Sequence, residues 1–223
     1  MASVGIIAKF FGLASSALLP VINPLGSALF FLGMVGNAPP EVYRTLARKI
    51  AISTVLFLLA IELIGTAILA FFGISLPVVQ VAGGLMLAAM GWSLLNQQES
   101  GKRSDQAEIE AAHVGPLEDQ IFYPFTFPVT AGPGTVVVML TLSAHASVRG
   151  LLPDAMAHIG LLSAIVVQCI LVYFCYAYAP KITARLSPQT AHGILRIIAF
   201  VLLCIGVQIT WNGVQVLLRT VVR

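Results

Sequence analysis

Two short stretches carry residues that could do chemistry. PVINPLG (residues 20–26) and PVTAGPG (residues 128–134) set helix breakers inside apolar runs. Proline lacks an N–H and clashes with the preceding turn, so it stops or kinks a helix. It is well suited to the first helical position, and Asn is among the best N-caps. Asn23–Pro24 therefore reads as the start of a new helix inside an apolar run, and Gly132–Pro133 reads the same way. Gly26 and Gly134 follow, where a ligand or another backbone could come close. A helix start offers unpaired N–H groups and about half a positive charge. Two such starts meeting near a bilayer midplane would suit a carboxylate or another small anion. Thr130, Thr135 and Ser27 could add hydroxyl contacts. A single break is as readily a packing kink; two at matching places in two halves point to a site.

Glu62 lies in the middle of LLAIELIGTAIL. A carboxylate at the bilayer centre is costly and faces the protein interior. It reads as a proton-coupling group, as the partner of a substrate ammonium, or as a neutral carboxyl bonded to a neighbouring helix. Arg196 either snorkels to the interface or pairs with Glu62 or a substrate carboxylate. Gln80, Gln168, Gln208 and Asn212 read as contacts between helices, and Gly83–Gly84 with Ala88 as a close helix approach. Tyr173, Phe174, Tyr176 and Tyr178 read as an interfacial aromatic belt. The His and Cys residues show neither zinc-type spacing nor a nucleophile–base pattern. No metal, cofactor or enzyme activity is expected.

These residues need a membrane to position them. The chain has 223 residues, 58% hydrophobic and only 9% charged, against about 25% charged in soluble domains. Its net charge of +3 is scattered, with no basic stripe for nucleic acid. The expected fold is an all-α integral membrane protein with six spans. These are 4–36, 50–72, 77–95, 121–143, about 155–179 and about 192–218, the first and fourth broken near the midplane. The first run continues to Gly36, so no cleaved signal is expected. Residues 96–120 form a polar linker between a first three-helix unit (1–95) and a second (121–223). An odd number of spans per unit turns the second upside down relative to the first, as in secondary transporters. Lys and Arg gather beside Arg44, Arg48, Lys49, Lys102, Arg103, Lys181 and Arg185, which makes that side cytoplasmic and puts both termini outside.

PVINPLGSALFF, FFGISLPVVQVAGGLML, FPVTAGPGT and GVQITWNGV, in this order, resemble the MarC family of bacterial inner-membrane proteins across essentially the whole chain. That resemblance implies six helices. It also implies transport of a small neutral amino acid, since a relative carries glycine and alanine. The family's name comes from a link to antibiotic resistance, which leaves export of drugs and a scaffold role without transport as alternatives. The expected partners are a small-molecule substrate and the bilayer; the sequence does not give the oligomeric state.

Overall fold

The computed structural model describes residues 2–96, 117–146, 151–185 and 187–221, which are helical apart from short connections. The helices are α1 (Ala2–Ile22), α2 (Pro24–Val35), α3 (Pro40–Phe71), α4 (Leu76–Asn96), α5 (Pro133–Ala146), α6 (Leu151–Ala177), α7 (Ala179–Arg185) and α8 (Pro188–Val221). Before α5 runs an irregular wide-turn segment, Ile121–Thr130. Most of the proposed linker, residues 97–116, lies outside the described residues.

Among the described residues, five helices are long and apolar enough to cross a membrane, with α1 and α2 counted together as Val4–Val35. The wide-turn segment and α5 make a sixth span if taken together, bent by 69°. The first break therefore lies within one continuous span, while the second is a sharp corner.

Proline explains the wide-turn segment. Pro124 and Pro128 cannot donate to the usual helical ladder. Tyr123 and Phe127, each just before a proline, take extended backbone angles, as the following ring demands. The remaining donors reach five residues back: Phe125 N–H to the Gln120 carbonyl (3.2 Å) and Ala131 N–H to that of Thr126 (2.8 Å). The Thr126 and Thr130 hydroxyls donate to the carbonyls of Ile121 (2.8 Å) and Phe125 (2.6 Å). Backbone polar groups in hydrocarbon must be satisfied internally, and here two threonines help to do it.

Helix directions follow from pairs in contact. α1 runs parallel to α6, since Gly160 backs onto the Ile7 carbonyl and Gln168 donates to that of Ser15. α3 runs antiparallel to α6, since Glu62 meets His158 while Arg48 and Tyr173 share one cavity wall. α4 runs antiparallel to both α5 and α8, with Gly83 against Val137 and Leu87 against Gly134, and with Gly84 against Gly206 and Gly91 against Leu203. At the α4–α8 contact, a Cβ on Gly84 would lie 2.5 Å from the Thr210 nitrogen and 2.7 Å from the Gly206 carbonyl oxygen. Small residues there let two backbones touch, which is how helices associate without a hydrophobic drive between them.

Positive charge collects at one end of the bundle. Arg44 and Lys181 both lie over the Tyr178 ring, at 5.8 and 5.9 Å. Lys49 pairs with Glu118 at 2.7 Å. The Lys49 ammonium holds the exposed Glu118 carboxyl below the usual carboxylate range.

Candidate functional site: two helix breaks bridged by Tyr176

Asn23 sits between α1 and α2 in the left-handed region, at φ 45° and ψ 64°. Its N–H still bonds to the Leu19 carbonyl (3.0 Å), and its own carbonyl accepts from the Ser27 N–H (2.9 Å) and hydroxyl (2.9 Å). The ladder thus runs through the break with one residue turned. The Asn23 side-chain oxygen caps the Gly26 N–H at 3.1 Å. The space beside Gly26 is filled by that same side chain. The first break therefore caps itself.

The second break is built differently. Gly132 precedes Pro133, and its carbonyl accepts from the N–H groups of Thr135 (2.9 Å) and Val136 (3.2 Å). A glycine has no side chain with which to cap the helix. Gly132 is half-buried and Pro133 exposed, whereas Thr130, Ala131, Gly134 and Thr135 are buried. The room left by Gly134 is taken by Leu87 of α4, so it serves helix packing rather than close approach of a ligand. A Cβ placed there would also lie 3.6 Å from Val21, in the turn before Asn23. The two breaks are neighbours, and Leu87 is midway along α4.

One residue joins them that the sequence reading placed elsewhere. Tyr176 does not belong to an interfacial belt: it is fully buried. Its hydroxyl lies 2.8 Å from Thr130 Oγ1. Its ring stacks on Phe31 at 4.5 Å, and Phe31 in turn meets Tyr43 and Phe125 edge-on. The available signal was helical phase: Tyr176 continues the buried stripe of Ile165, Cys169 and Val172.

Glu62 is buried, its side chain fully, and its Oε1 contacts His158 Nδ1 on α6. Its Oε2 is buried with no hydrogen-bond partner among the described residues. Arg196 is not its partner: it is exposed on α8, which packs chiefly on α4. Nor is Glu62 at the breaks. Ser143 donates to the Glu62 backbone carbonyl at 3.1 Å, and Ser143 is ten residues along α5 from Pro133, about 15 Å of helix. A small amino acid held at the breaks cannot place its ammonium on Glu62.

The residues, their order and the broken spans have counterparts in known proteins. A family model described as MarC family integral membrane protein matches residues 8–218. The chain belongs to the MarC family of integral membrane proteins. Inner membrane protein MarC of Salmonella typhimurium is 27% identical over 214 residues, covering 95% of this chain and 97% of the relative. A membrane protein of Methanocaldococcus jannaschii is 28% identical over 207 residues, covering 93% and 97%. MarC of an Escherichia coli strain is 25% identical over 217 residues, covering 95% and 97%. No solved structure matches. The MarC-family chain is a multi-pass membrane protein, and its bacterial relatives are named for the inner membrane.

Proposed function

We propose that this protein is a secondary transporter of a small zwitterion, a small neutral amino acid such as alanine or glycine, in the inner membrane. The observation that carries the reading is the meeting of two helix starts at the level of Val21, Leu87 and Gly134. The carboxylate would bind at the Gly132–Pro133 start, where the cap residue has no side chain of its own. At Asn23 the amide oxygen already holds the place of an anion, and it can yield that place by turning.

Alternating access by rocking one half against the other is supported by the packing. The span pairs one with five, four with two, three with four and six with one all touch. These contacts exchange among themselves when spans one to three are swapped for four to six. The scaffold reading calls for both breaks to be packed dry, whereas Asn23, Gly26, Gly132 and Pro133 keep some exposure. The drug-export reading calls for a large aromatic-lined cavity at the breaks. A cavity of about 360 Å³ lies between α3 and α6, lined mainly by aliphatic side chains with Tyr173.

Uptake of labelled alanine into proteoliposomes tests the reading. Saturable uptake is expected, competed by glycine but not by alaninamide, which lacks the carboxylate. Absence of saturable uptake from folded protein would sink the assignment. Equal competition by alaninamide would remove the carboxylate from the helix start.

A further inference from the structure

Glu62 faces a short line of titratable groups that runs toward one end of the bundle. His158 Nδ1 contacts Glu62 Oε1, and on the other side of the ring His158 Nε2 lies 3.9 Å from Asp154 Oδ2. Exposure rises along the line: 0% for the Glu62 side chain, 29% for His158 and 38% for Asp154. Asp154 is in the first turn of α6, and His158 is about 10 Å along the helix from its start. An imidazole can take a proton on one ring nitrogen and release one from the other.

We propose that Asp154, His158 and Glu62 form a proton relay from the Leu151 end of α6 to a buried proton-binding carboxyl. A proton arriving at Asp154 passes to His158 Nε2, across a gap that one water or a small rotamer change closes. The proton on Nδ1 passes to Glu62 Oε1. The ring regains its starting form when the Nε2 proton returns to Nδ1 by exchange. The sum is one proton moved inward and no bond otherwise changed. Loading adds one positive charge to a pair whose carboxyl is fully buried, so the surrounding helices feel it strongly.

Other groups facing the pair are few among the described residues. α5 offers Ser143, and His145, whose Nδ1 lies 2.6 Å from its own helix's Thr141 carbonyl. The wide-turn segment offers only Tyr123, which is exposed. On α6 the remaining titratable residues, Cys169 to Tyr176, lie more than two turns beyond His158. Lys9 of α1, which packs on α6, is exposed. No described lysine or arginine pairs with Glu62. The link to transport runs through α5, which holds the Glu62 backbone at Ser143 and begins at the second break.

The use of the relay in coupling rests on the transport reading; the relay itself does not. Proton binding is therefore read directly, by NMR titration of ¹⁵N-histidine and ¹³C-glutamate in the full chain in lipid nanodiscs. His158 and Glu62 are expected to titrate as one pair. Glu62→Gln should change the proton affinity of His158 by about tenfold or more, and His158→Gln should do the same to Glu62. Asp154→Asn should slow proton exchange at His158. Independent titration, with either variant leaving the other group within twofold, overturns the proposal. If one variant fails to fold, the other reads the same coupling from the opposite side. In proteoliposomes, Glu62→Gln should lose accumulation driven by a proton gradient but keep exchange of labelled for unlabelled alanine. Retained accumulation overturns the coupling role. Absence of exchange in the unaltered protein counts against the transport reading alone, and the NMR titration still decides the relay.

Discussion

The Tyr176 hydroxyl lies 2.8 Å from Thr130 Oγ1 and its ring stacks on Phe31, so one side chain of α6 touches both broken spans. The Thr130 hydroxyl donates to the Phe125 carbonyl at 2.6 Å, which leaves the Tyr176 O–H as donor to Thr130. The hydroxyl and the ring thus have separable roles.

Tyr176→Phe keeps the ring on Phe31 and removes only the bridge. It should cost about 1 kcal/mol, the net worth of one buried hydrogen bond. Tyr176→Ala also empties a fully buried site and should cost about 3–5 kcal/mol. Thermal unfolding of both variants in one detergent checks this ordering. Equal losses would mean that the bridge, not the ring, holds the breaks together.

Asn23 combines a left-handed backbone with a side-chain cap on Gly26. Asn23→Ala loses the cap, about 1 kcal/mol, and forces a Cβ residue into the left-handed region, roughly 1–2 kcal/mol more. Asn23→Gly keeps the backbone at ease and loses only a few tenths as a cap. Glycine should therefore be the milder change, although it removes as much side-chain chemistry. If unfolding midpoints rank alanine as the milder one, the turned residue is not what this site requires.

Gly84 and Gly206 face each other across α4 and α8 with backbone atoms in the way of any Cβ. Gly84→Ala must push two helices apart and should cost about 1–3 kcal/mol or more. Gly12→Ala is the control: nothing lies within 4 Å of a Cβ there. Removing a glycine from a helix interior should stabilise by roughly 0.5–1 kcal/mol. Folded yield and thermal midpoint should move in opposite directions for the two variants.

Much was legible in the residues. Apolar runs of span length fix helices in a medium that forbids unpaired backbone. Proline and its preceding residue mark where those helices must start and stop. Asn23–Pro24 and Gly132–Pro133 were readable for that reason, because capping and the missing N–H are properties of adjacent residues. Glu62 stood out because a lone carboxylate in hydrocarbon needs an interior partner.

The partners were not readable, because contacts between residues far apart in sequence depend on which helix faces meet. Arg196 was one of several partners open to Glu62, and only the meeting of α3 with α6 gave it His158. Tyr176 looked interfacial from its aromatic neighbours, yet the rotation of α6 turned it inward onto Thr130 and Phe31. Gly134 looked open to a ligand until the crossing of α4 and α5 put Leu87 beside it. The sequence by itself determined a membrane-embedded helical chain with two breaks and one buried acid, since local chemistry sets those. Only the tertiary structure decided that the breaks meet through Tyr176 and that the acid stands apart from them on a histidine, since helix packing sets distances that no local rule contains.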